Sequence, residues 1–227
     1  MVDATFAVKQ DVFLAGHLPI FVECIHENAL SESILLRFLD SCPDGKLGVA
    51  PVYGSRCVLT SMAFSTPFRA LLIRFSGPKA TKQHHMERPA RELLRDLIFC
   101  HPQRQIYGFQ MDRIAIALYL DLSLRIRAGV DLLSASKRNN RHSLDALMDV
   151  LGGEHTLNKL GVKALFRHRE GAETKQCDTA LQAWVASQAS KLVTMSRRVL
   201  AVPRIDTYTM LDTVLCYMLV IWKSVEP

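Results

Sequence analysis

The sequence predicts an α/β sandwich built on a mixed sheet, and three observations predict it. Three apolar, strand-like runs come early and are separated by short turns; brief strands then alternate with helical stretches; the final third reads as helices. Ile20-Phe21-Val22-Glu23-Cys24-Ile25 is the opening strand. Ser31 then precedes Glu32 and a pattern that puts Ile34, Leu35, Phe38 and Leu39 on one helix face, before a turn at Pro43-Asp44-Gly45. Lys46 to Val52, Arg56 to Phe64 and Phe68 to Phe75 follow as strands. Tyr53-Gly54-Ser55 and Ser65-Thr66-Pro67 separate them, which predicts two tight hairpins and an antiparallel meander.

After Gly77-Pro78 the composition changes. Lys79 to His85 is polar, and Arg88 to Phe99 has helical periodicity. Gln105 to Phe109 is a brief strand, followed by a helix from Asp112 to about Tyr119. Leu122 to Ile126 and Val130-Asp131-Leu132 are short extended pieces, the second leading into a helix. Ser143 starts another helix through Leu144, Leu147, Met148 and Leu151, which Gly152-Gly153 stops. From Leu157 onward the chain reads as helices, with a loop at Arg167 to Thr174. The last of them, with Met210, Leu211, Val214, Leu215, Met218, Leu219, Ile221 and Trp222, is apolar nearly all round and must be buried, in its own core or against a partner.

Composition narrows the classes. Of 227 residues, 49% are hydrophobic and 22% charged, an ordinary globular balance that excludes a disordered chain. A formal charge of +6 permits a nucleic-acid partner without requiring one. Cys24, Cys42, Cys57, Cys100, Cys177 and Cys216 show neither CxxC nor zinc-finger spacing, and most lie in apolar runs, so a reducing compartment and no disulfide framework are expected. The N-terminus has neither a signal-peptide apolar core nor transit-peptide character. The longest apolar stretch contains Asp212 and is too short for a bilayer. The expected setting is intracellular, cytoplasmic or nuclear, with no membrane partner.

The order of segments, together with five short motifs, resembles the RNase D-like branch of the DEDD 3′–5′ exonucleases. Gly48-Val49-Ala50-Pro51-Val52 is similar to the strand of the first motif, G-V-D-T-E. Tyr107-Gly108-Phe109-Gln110-Met111-Asp112 is similar to the second, a strand end followed by an acid at a helix start. Val130-Asp131-Leu132 and Ser143-Leu144-Asp145-Ala146-Leu147 match the following strand and the S-L-x-x-L helix. Tyr208-Thr209-Met210-Leu211-Asp212-Thr213 has the spacing of the last motif, Y-x-x-x-D-A, and is preferred to the stretch Asp178 to Gln182. The resemblance spans nearly the whole chain. It implies an RNase H-like three-layer sandwich of 3′–5′ exonuclease type over residues 20–227, with residues 1–19 as an N-terminal extension.

In such enzymes two divalent cations hydrolyse the phosphodiester, held by a D-x-E pair that period two puts on one strand face. Here those positions are Ala50 and Val52, which cannot ligate a metal, and no Asp or Glu occurs between Lys46 and Lys82 to restore the pair by a register slip. What the resemblance then implies is a catalytically inactive domain, a pseudo-nuclease without a cofactor, with Asp112, Tyr208 and Asp212 as remnants. Mg²⁺ or Mn²⁺ is expected only with residual activity. Each remnant also has a plainer reading: Asp112 as a helix N-cap, Asp131 likewise, Tyr208 and Asp212 as an ordinary helix pair. His84-His85 reads as a solvated loop, and neither Cys57 nor Cys100 has a local base.

Lys137, Arg138, Arg141, Arg167, Arg169, Arg197 and Arg198 are the candidate nucleic-acid contacts, on the side of the domain where active relatives admit a single strand; the alternative is solvated helix faces. The expected role is an RNA-binding or scaffolding subunit of an RNA-processing or RNA-silencing complex, with single-stranded RNA and a protein partner or homodimer. A residual metal-dependent exoribonuclease and a purely protein-binding subunit are the alternatives.

Overall fold

Period-two alternation decides the centre of the molecule. In Lys46–Tyr53 (β3), Leu47 and Val49 turn to one face while Gly48 and Ala50 turn to the other, so the strand is apolar on both sides and has to be covered twice. The computed structural model describes residues 2–76, 89–167 and 172–209. On one side β3 pairs antiparallel with Leu59–Ser65 (β4), and β4 antiparallel with Arg69–Arg74 (β5). On the other side β3 pairs in parallel with Gln105–Gly108 (β6), and β6 in parallel with Gly129–Asp131 (β7). Ile20–His26 (β2) runs parallel beside β5, and Ala4–Val8 (β1) closes the edge antiparallel to β2. The result is a seven-stranded mixed sheet in the order β1-β2-β5-β4-β3-β6-β7.

Both faces are covered. Glu32–Leu39 (α1), Pro89–Leu94 (α2, continuing as a π turn to Phe99) and Met111–Leu122 (α3) enclose one core, in which the Phe64 and Phe99 rings meet at 5.7 Å. Leu144–Val150 (α4), Lys159–Leu165 (α5), Ala172–Ala189 (α6) and Val193–Leu200 (α7) enclose the other. The expected three-layer α/β sandwich with a mixed central sheet is the architecture the chain adopts.

One contact positions everything that follows. A side chain at Gly48 would have its Cβ 1.9 Å from the Ala183 carbonyl oxygen and 2.5 Å from the Ser187 amide nitrogen, so the α6 backbone rests directly on β3. The small residues Ala50, Ala63, Ala180, Ala183 and Ala186 belong to the same buried cluster. A close helix-to-sheet approach of this kind leaves no room for branched or charged side chains.

Local signals act where they were read. The Ser31 Oγ accepts from the Ile34 N–H and Ser143 Oγ from the Ala146 N–H, capping α1 and α4. Gly152 and Gly153 take φ of 113° and 91° just beyond α4. Three expectations are corrected. The first hairpin is wider than a tight turn, because Arg56 and Cys57 hold φ of 59° and 54°, which a strand does not tolerate; β4 therefore begins at Leu59. Leu122 ends α3, Ser123 caps it at φ 58°, and 124–126 do not join the sheet, the Ile126 N–H donating instead to Thr207 Oγ1. Ala4–Val8, within the stretch read as an extension, forms an edge strand.

Glu27, at the end of β2, is buried and carries an ion pair with Arg91 of α2, Nε to Oε2 at 3.0 Å; its other oxygen accepts the Ser76 N–H at 2.7 Å. The pair joins the ends of β2 and β5 to α2. Among the described residues no helix is long and apolar enough to cross a membrane. The apolar segment 210–222 and His84-His85 lie outside the described residues.

Candidate functional site

Parallel strands present their C-terminal ends together, and ligands of α/β sheets sit outside those ends. β3, β6 and β7 point the same way, so Ala50 and Val52, the start of α3 and Asp131 all lie along one edge of the sheet. Neighbouring strands are spaced by ~4.8 Å, which puts Asp131 on the order of 10 Å from Val49, the β3 residue at its level.

At the β3 end, Ala50 is 3% exposed beneath α6 and Val52 is half-buried. The helix face that overhangs this end carries Lys175, Asp178, Thr179 and Gln182, spaced i, i+3, i+4 and i+7. With Pro51, Tyr53, Leu165 and Arg167 they line a cleft of about 110 Å³. The Lys175 Nζ donates to the Tyr53 carbonyl at 2.9 Å, which fixes an ammonium at the strand end, and the Gln182 amide donates to the Leu165 carbonyl at 2.9 Å. A two-cation site needs several carboxylate oxygens converging on this place. The residues present do not fit it: Ala50 and Val52 bring none, and a cationic side chain stands beside them. Among the described residues no group of three His, Cys, Asp or Glu is placed to hold a metal ion.

Asp112 lies on the same edge, exposed in the first turn of α3, but it is not the N-cap; that position is Gln110, at φ 58°. The acid that serves the helix start is Asp131. It is buried, accepts the Met111 N–H at 3.3 Å, and caps the turn after β7 by accepting the Ser134 N–H at 3.0 Å.

Tyr208 is not brought to this edge. Ile205 bridges Gly129 at the start of β7, Thr207 bonds Ile126 ahead of it, and the Tyr208 hydroxyl lies 3.3 Å from Cys100 Sγ ahead of β6. Its ring stacks under the guanidinium groups of Arg125 and Arg127, 5.5 and 4.9 Å from the centroid. All of these belong to the opposite end of the parallel strands. Tyr208 is thus separated from Ala50, Val52 and Asp112, and α6 is the helix that faces β3. Asp212 lies outside the described residues. The stretch set aside in the sequence, Asp178 to Gln182, is the one the fold delivers. Its signal was available: Lys175, Asp178, Thr179 and Gln182 recur at i, i+3, i+4 and i+7, the spacing of one helix face.

The basic residues divide. Lys137, Arg138 and Arg141 are exposed in the segment between β7 and α4, on the strand-end edge; the Arg141 guanidinium bonds Ser134 Oγ at 3.0 Å. Arg167 is exposed at the cleft, and Arg197 is exposed on α7. Arg169 lies outside the described residues. Arg198 is a correction: its Nε donates to the Ala135 carbonyl at 2.8 Å and its fork grips Asp149, so it ties α7 to α4 and to the β7 exit instead of offering itself to a ligand. Burial works to raise the Asp149 carboxyl, but Arg198 and the Lys137 and Ser136 donors outweigh it and hold it below its ordinary value. Arg198→Ala is expected to cost about 2 kcal/mol of stability, the worth of a charge-assisted hydrogen-bond pair, whereas Arg197→Ala leaves the urea midpoint unchanged. Parallel urea titrations check both.

The described cysteines all carry free thiols, and burial pushes Cys24 and Cys42 up to about 11, away from nucleophile chemistry.

No family model and no curated protein sequence matches the chain. Solved exonuclease domains resemble it in fold. The EXO domain of Aedes aegypti Nibbler aligns at 14% identity and a TM-score of 0.48, over 82% of this chain and 90% of that one. RNase D of Trypanosoma brucei, in a complex with GMP, aligns at 11% identity and 0.47, over 88% of this chain and 63% of its own. The catalytic core of RRP6 from the same organism aligns at 18% and 0.43, over 83% and 56%.

Proposed function

We propose that this is a non-cutting exonuclease-type domain that holds single-stranded RNA along the strand-end edge of its sheet. One observation carries the reading: the place where a D-x-E pair would stand is Ala50, sealed beneath α6, and Val52, with the Lys175 ammonium bonded to the next carbonyl along. Losing a bridging metal ligand raises a barrier by several multiples of about 1.4 kcal/mol, each a factor of ten in rate.

Binding is supported separately. Lys137, Arg138, Arg141, Arg167 and Lys175 distribute positive charge from the β7 exit to the β3 end, where a flexible strand would make phosphate contacts with little sequence choice. A scaffolding role within an RNA-processing assembly has its own support in the exposed side chains of Phe21 and Phe68, on neighbouring strands β2 and at the entry to β5, at 59% and 69% exposure.

End-labelled single-stranded RNA incubated with the protein and Mg²⁺ or Mn²⁺ tests the reading. The expected result is full-length RNA at every time point, with binding that weakens by roughly tenfold or more between 50 and 200 mM salt. Metal-dependent shortening that Asp112→Ala or Asp178→Ala abolishes would overturn it. Absence of binding at any salt would leave the protein-scaffold role.

A further inference from the structure

We infer that the cleft between α6 and the end of β3 is an anion site that takes a phosphate monoester group without a metal. This rests on the non-cutting reading of the same strand end and goes beyond it by naming what the cleft holds.

Its size, charge and donors agree. A volume of about 110 Å³ is several times the ~10–15 Å³ that a single water needs, so a phosphoryl group fits. Among the described residues the lining carries two cations, Lys175 and Arg167, and one carboxylate, Asp178. An ammonium has three N–H donors, and the bond to the Tyr53 carbonyl uses one while fixing the group in place. A guanidinium at the rim presents the planar fork that matches phosphate oxygens. Where a nuclease neutralises a phosphate with cations held on carboxylates, this chain sets side-chain cations there directly. Asp178 makes the inference decidable. In a cation site its carboxylate is a ligand; in an anion site it is a repulsive neighbour.

The phosphate has two sources, a small anion or the terminal phosphate of an RNA strand, and one experiment separates them. Binding is measured in EDTA by anisotropy and calorimetry, using inorganic phosphate and a ten-nucleotide RNA with 5′-phosphate, 3′-phosphate or hydroxyl ends. One phosphorylated end is expected to bind at least about tenfold tighter than the hydroxyl-ended strand. Lys175→Met and Arg167→Ala each bring it down to the hydroxyl-ended affinity, and Lys175→Arg restores the increment, which a merely unfolded variant would not allow. Asp178→Asn tightens it by about fivefold, the removal of roughly 1 kcal/mol of repulsion near a wetted surface. Saturation by inorganic phosphate alone, with no end preference, assigns the same site to a small anion.

Equal affinity for all ends with no binding of inorganic phosphate, a requirement for Mg²⁺, or weakening by Asp178→Asn overturns the inference. The same samples given Mg²⁺ or Mn²⁺ keep the two ideas apart. Shortening of the RNA defeats the non-cutting reading; intact RNA with no phosphate preference defeats the anion site alone.

Discussion

Gly48→Ala is expected to lower stability by at least about 3 kcal/mol, the upper range for overpacking a filled core, because the added Cβ meets backbone on both sides. Its nearest atoms would be the Ala183 carbonyl oxygen at 1.9 Å and the Ser187 amide nitrogen at 2.5 Å. A flexible side chain could turn away, but a helix backbone moves only as a body, and α6 is held to β3, β4 and β5 along its length. For a domain of this size the loss corresponds to a melting point lower by roughly 6–12 °C. Gly16→Ala is the control, since a Cβ there meets nothing within 4 Å. Thermal melts of the two variants check the difference. Equal melting points would mean that α6 does not rest on the strand as described, and the cleft at its end would lose its geometry with it. The glycine is thus a packing requirement that also sets where Lys175 and Asp178 stand.

The second large effect is expected at Glu27. Its side chain is fully buried and that of Arg91 is 13% exposed, so removing either partner breaks an ion pair in the interior. Arg91→Met is expected to cost about 3–5 kcal/mol, and Glu27→Gln nearly as much, because Arg91 then loses its counter-ion. The pH dependence has a definite sign. Burial works to raise the Glu27 carboxyl, but the Arg91 guanidinium and the Ser76 donors outweigh it and hold it below its ordinary 4.5. A folded-state value below the unfolded one means that the unfolded chain takes up the proton first. The contribution is therefore complete above the ordinary carboxylate range and is lost as pH falls through the lower folded value. Urea titrations at pH 7 and at pH 3–4 check it: the wild-type protein should lose more stability on acidification than Glu27→Gln does. A variant that loses just as much would assign the acid sensitivity to other carboxylates.

The cleft gathers residues whose individual meaning was hidden in the chain. Lys175 reads as one polar residue at the start of a long helix, and Tyr53 as the end of a strand. They meet across 122 residues through a main-chain carbonyl. Arg197 and Arg198 are adjacent and chemically identical, yet one points to solvent while the other is consumed by Asp149 and Ala135. Tyr208 and Asp212 keep the spacing of a motif, but the segment with Tyr208 is stitched to the start of β7 instead of its end.

The missing acid pair is legible without a structure. No carboxylate occurs between Lys46 and Lys82, so no arrangement of β3 puts an acid pair on it, and folding cannot change which atoms a side chain has. The caps at Ser31 and Ser143, the stop at Gly152-Gly153 and the apolar alternation of the central strands were equally legible, because each is a local interaction within a few residues. Tertiary structure alone decided which helix covers the end of β3, that Ala4–Val8 joins the sheet as an edge strand, that positive φ at Arg56 and Cys57 delays β4, and which arginine is structural. Those outcomes depend on contacts between segments far apart in the chain. Their energies come from mutual burial and from hydrogen bonds that close only when both surfaces are present, so no local stretch of sequence carries them.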